Sequence, residues 1–105
     1  MSTSVIAEIE ALISDAAAGP EAPYLETVER TLTDGYARAL ALEAEQLRLE
    51  RRLGEVAAGI AEGGSHGVEE ISSISTRLRD AARELRELRG VLGPLRALAA
   101  ELRTA

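Results

Sequence analysis

The chain has 105 residues, with 12 Arg and no Lys, 18 acidic residues, a net charge of -6, and neither Cys, Trp nor Phe. The lack of Cys excludes disulfides and thiolate metal centres, and the acidity argues against nonspecific nucleic-acid binding, which needs a basic stripe, and against adsorption to anionic membranes. One domain spanning 1–105 is expected, with a thin seam rather than a globular interior as its core.

A first helix is predicted over 4–18. Ser2, Thr3 or Ser4 can cap it, and Val5, Ile6, Ile9, Leu12, Ile13 and Ala16 share one face. Its acidic residues Glu8, Glu10 and Asp15 replace the basic segment and apolar run of a signal peptide, and no stretch approaches the roughly 18 apolar residues of a membrane span. A cytoplasmic location is the expectation. Arginine without lysine, with abundant Ala and Leu, reads as bacterial, GC-rich coding bias. Gly19 and Pro20 then stop the first helix.

A second helix is predicted over 22–62, with Pro23 in its first turn and Glu26 and Glu29 on the favourable side of the dipole. Along it Leu25, Val28, Leu32, Gly35, Ala39, Leu42, Gln46, Leu49, Leu53, Val56 and Ile60 recur at alternating intervals of three and four. The turn Gly63-Gly64-Ser65-His66-Gly67 follows. A third helix over 68–103 continues the rhythm with Ile71, Ile74, Leu78, Ala81, Leu85, Leu88, Leu92, Leu95, Ala99 and Leu102.

In an antiparallel pair the numbers of facing residues total a constant. Ile60 with Ile71 gives 131, Val56 with Ile74 gives 130, and the series runs to Val28 with Leu102 at 130. On this ladder small residues meet large ones: Ala81 faces Leu49, Ala39 faces Leu92, and Gly35 faces Leu95. The fold class is therefore all-α: a long antiparallel helical hairpin, or coiled coil, with a short N-terminal helix packed at its base, assembling into a helical bundle. Each long helix would run roughly 55 to 60 Å.

The third helix is interrupted on paper at Pro94, with Gly90 and Gly93 beside it. Two readings are open: a kink or hinge level with Asp34 and Gly35, or glycines that make room for the first helix or a second subunit. The second is favoured. Outside the seam, Tyr24, Tyr36, Leu40, Leu47, Val91 and Leu98 form extra apolar surface, for which the first helix is the expected cover.

Candidate chemistry is sparse. Gln46 is the one polar residue in the seam, either fixing register or turning its amide to water. The sole histidine, His66, lies in the turn near Glu62, Glu69 and Glu70, where a weak metal site is conceivable but an exposed loop residue is expected. From Gly54 to Ser75 there is no Arg, so the tip is acidic; it resembles in architecture the acidic hairpins of transcription-cleavage factors, although a solvated cap is the expected role. The mid-hairpin arginines are interleaved with Glu and Asp, and pairs such as Asp80 with Arg83 and Glu45 with Arg86 are expected. No catalytic triad, phosphate loop or dinucleotide fingerprint appears. No enzyme activity, cofactor or metal is expected.

The composition and pattern point to a non-enzymatic interaction module, a homo-oligomerising adaptor or scaffold subunit. Its expected partners are itself, as a homodimer or higher assembly, and another protein, with no nucleic acid, membrane or small-molecule substrate. The predicted interface is Tyr36, Leu40, Leu47, Val91 and Leu98, joined by Ile9, Leu12 and Ile13 of the first helix. In length, acidity, lack of Cys and hairpin topology the chain is also similar to the small secreted proteins of the type VII secretion class. That family's Trp-x-Gly turn is here Gly63-Gly64-Ser65-His66-Gly67, and no Tyr is followed four residues later by an acid near the C-terminus. The resemblance implies a secreted helical hairpin as the alternative.

Overall fold

The computed structural model describes residues 4–18, 23–63 and 67–104. Among them are three helices and no strand: α1 (Val5–Ala18), α2 (Leu25–Ala61) and α3 (Gly67–Thr104). The two long helices pack as a hairpin, with α1 at its base.

Each helix end has a local cause. Ser4 caps α1, its Oγ accepting a hydrogen bond from the Ala7 amide at 3.1 Å, so of the three candidate caps it is the one in place. Pro23 and Tyr24 precede α2 rather than opening it, and the Tyr24 carbonyl accepts the first helical bond, from Val28, at 3.1 Å. At the other end Gly63 takes φ of 98° and donates to the Ile60 carbonyl at 2.9 Å. This left-handed residue closes α2, a conformation that costs glycine nothing. Gly67 then starts α3 tight against α2, because a Cβ there would collide with Ile60 and come within 3.1 Å of Val56 Cγ1.

The chain forms two compact units, Met1–Leu40 with Arg86–Ala105, and Ala41–Leu85. In the second, Leu49, Val56 and Ile74 are buried and Leu53, Ile60, Ile71 and Leu78 pack around them. In the first, the fully buried residues are Ile9 of α1, Val28 of α2, and Leu88, Leu95 and Ala99 of α3. At 14 residues α1 is too short to be stable alone. It depends on Ile9, which is 0% exposed and packs where Gly35 leaves room: a Cβ at 35 would lie 3.3 Å from Ile9 Cδ1 and 2.6 Å from Leu92 Cδ2.

Side-chain contacts reach to the layers beside the expected facing pairs: a Cβ at Gly35 would meet Leu92, and one at Gly67 would meet Ile60 and Val56. Gly35 with Leu92 totals 127, whereas Glu29 with Arg103, paired at 3.2 Å, totals 132, on the other side of the expected 130 or 131. One expected ion pair differs: Glu45 pairs with Arg77, at 3.3 Å, in place of Arg86.

Helix α3 stays continuous through Pro94. A Cβ at Gly90 or Gly93 would meet nothing within 4 Å, so neither glycine makes room for α1. Relative to alanine each costs roughly 1 kcal/mol of helix propensity and the proline roughly 3. All three are exposed, whereas Leu88, Leu92, Leu95 and Ala99 on the other face are buried. Burying a leucine contributes about 2 kcal/mol, so packing, not intrinsic propensity, holds this part of α3 helical.

Candidate interaction surface

The location of α1 decides which apolar surface remains open. A shallow cleft of about 360 Å³ marks its line of contact with α2, lined by Glu8, Ala11 and Leu12 on one side and Thr27, Arg30, Thr31 and Asp34 on the other. Helix α1 thus docks along Thr27, Thr31 and Gly35, a row of small side chains at successive turns. Thr31 is buried there and donates its hydroxyl to the Thr27 carbonyl at 2.9 Å. Thr31 and Leu40 are nine residues apart, roughly two and a half turns, so they face opposite sides of α2.

The expectation that α1 covers the additional apolar surface is therefore overturned. Tyr36 is 42%, Leu40 66% and Leu47 63% exposed, and Tyr24 is also open. Their intervals along α2, with Ala44 between Leu40 and Leu47, are four, four and three, the spacing of a single helical stripe. Val91 and Leu98 are half-buried, as are Leu12 and Ile13. Ile9 is corrected outright: its side chain fills the space over Gly35 and belongs to the core, so it offers nothing to a second molecule. Val68 in the first turn of α3 is an exposed apolar residue absent from the predicted set. Its place just ahead of Ile71, off the seam spacing, was the available signal.

Exposed ion pairs frame both units. Glu29 meets Arg103 at 3.2 Å, and Asp80 meets Arg83 at 3.0 Å as the sequence leads one to expect. Arg52 Nε donates to Glu70 at 2.8 Å, and Glu55 is 3.5 Å from the same guanidinium. The hydrogen bond and charge of Glu70 raise the Arg52 pKa above its ordinary value; desolvation opposes them, and Glu55 adds lesser raising contributions. Two of the acids of the supposedly uniform tip are thus shared with an arginine from outside it. Exposed pairs of this kind contribute little to stability.

His66, and with it the metal site weighed for the tip, lies outside the described residues. Among the described residues no three His, Cys, Asp or Glu side chains converge as metal ligands. Nor does any buried side-chain polar atom among them lack a partner. Gln46 is half-buried. No helix among the described residues is long and apolar enough to cross a membrane.

Comparisons with protein-family models, with characterised proteins and with solved structures returned no match for this chain.

Proposed function

We propose that this protein is a non-enzymatic protein-protein interaction module, a helical hairpin that associates with itself as an adaptor or scaffold subunit. The carrying observation is the exposure of Leu40 and Tyr36 on the side of α2 turned away from the α1 contact, and of Leu47 further along the same helix. Single exposed leucines are ordinary; large apolar side chains repeated at helical spacing on one stripe are the pattern of a helix that packs on a partner. Tyr36 adds a rigid amphipathic ring of the kind enriched at interface centres. Val91 and Leu98, half-buried on α3, have surface left to contribute at the margin.

The test is solution mass by light scattering over a concentration series, for the native chain and for Leu40→Glu with Leu47→Glu. Both positions are exposed, so the double variant retains its helical circular dichroism. The expected result is a dimer or higher assembly for the native chain and a monomer for the variant. An unchanged mass in the variant removes this stripe as the interface.

A further inference from the structure

Three features of the first unit meet at one point. Ile9, the fully buried side chain of α1, lies over Gly35 of α2, and Leu92 of α3 presses its Cδ2 into the same space. Leu92 is bracketed in sequence by Gly90 and by Gly93-Pro94, residues that weaken a helix. Neither glycine is there for lack of room, since a Cβ at each would meet open space, and neither has a positive φ.

We propose that α1 is a latch on a hinge built into α3 between Gly90 and Pro94. With Ile9 seated, Ile9 and Leu92 together fill the space over Gly35, and the adjoining turns of α3 are held helical by their buried face. With α1 lifted, Leu92 loses that neighbour at the one stretch of α3 where the backbone has least helical tendency of its own. Pro94 supplies no amide hydrogen for the Gly90 carbonyl, and Gly90 is exposed, so water can take over that carbonyl as the turn opens. The arm beyond the hinge, residues 95–104, then frays while α2, which has no proline inside it, retains its helix. The latch does not depend on the self-association proposed above, because Ile9 and Leu92 are buried inside one chain.

Amide hydrogen exchange read by mass spectrometry tests the device, in the native chain, in Ile9→Ala, and in Ile9→Ala combined with Gly90→Ala, Gly93→Ala and Pro94→Ala. The expected result for Ile9→Ala is exchange at 91–104 faster by about tenfold or more, with a much smaller change at 28–40 of α2 and none at 45–60. The three added alanines sit on the exposed face and touch no packing, so they restore protection at 91–104 without restoring the Ile9 contact. An equal rise at 28–40 and 91–104, a rise spread over the whole chain, or a failure of the alanines to restore protection overturns the latch. As a check that does not require α1 to be disturbed, the same three alanines in the native background should slow exchange at 91–104; no change there also refutes the hinge.

Discussion

Replacing Gly35 by alanine tests the packing at the centre of the first unit. The added methyl group would sit 2.6 Å from Leu92 Cδ2 and 3.3 Å from Ile9 Cδ1, both on buried side chains, so the core must shift to admit it. Overpacking of this kind costs about 1 to 3 kcal/mol, while alanine in place of glycine in a helix returns about 1 kcal/mol. The net expectation is a destabilisation of about 1 kcal/mol. Gly54 and Gly59 are the controls, because a Cβ at either meets nothing within 4 Å; alanine there should stabilise by about 0.5 to 1 kcal/mol. Gly35→Ala and Gly54→Ala should thus differ by nearly 2 kcal/mol, or roughly 8 °C in thermal midpoint for a chain of this size. The assay is thermal melting by circular dichroism at one fixed protein concentration, since any self-association makes the midpoint concentration-dependent. A midpoint for Gly35→Ala as high as that for Gly54→Ala would refute the close approach of Leu92 to α2. Adding Leu92→Ala sharpens the case: the pair should be less damaging than the sum of its parts by about 1 kcal/mol, because the second change vacates the space the first requires.

Leu49→Ala should cost about 2 to 5 kcal/mol by denaturant unfolding, because Leu49 is at the buried centre of the second unit. Gly63→Ala places a side chain at φ of 98° and should destabilise by about 1 kcal/mol or more, the opposite sign to Gly54→Ala in the same melts. Arg52→Ala should leave the midpoint unchanged within error, since its pairs with Glu70 and Glu55 lie at the solvent-accessible surface; a clear drop would show that the pair holds the hairpin. The Arg52 shift is upward, so whatever stability it adds is complete below the ordinary guanidinium value and fades only above it, which predicts no dependence on its titration across the neutral range.

The hairpin was legible because burial repeats where the ladder repeats. Val28, Leu42, Leu49, Val56, Ile74, Leu88 and Leu95 all lie in the core. Less legible was which side chains reach across to a neighbouring layer. Steric detail that no pattern of polar and apolar letters carries, the missing Cβ of Gly35 near Leu92 and of Gly67 near Ile60, decides those contacts. The side of α2 that α1 covers was misjudged for a related reason. Leu40 and Leu47 suggest a face in want of cover, but α1 lies along Thr27, Thr31 and Gly35, where small side chains allow close approach and a threonine hydroxyl is satisfied by its own helix. Of the predicted interface, Tyr36, Leu40 and Leu47 are open, whereas Ile9 shows that a helix short enough to need anchoring gives its best apolar residue to the anchor.

The repeating seam also has a mechanical consequence. Helices whose apolar layers recur every three or four residues do not slide smoothly under a lengthwise load; once the closing turn gives way they advance by notches of about 5 Å, one turn of helix at a time. The glycine contacts act as detents in such a track, Leu92 seated against Gly35 in one unit and Ile60 against Gly67 in the other. A force trace on this protein would show steps where an unpatterned core would yield in one event, and filling either detent with a methyl group would move the resting notch.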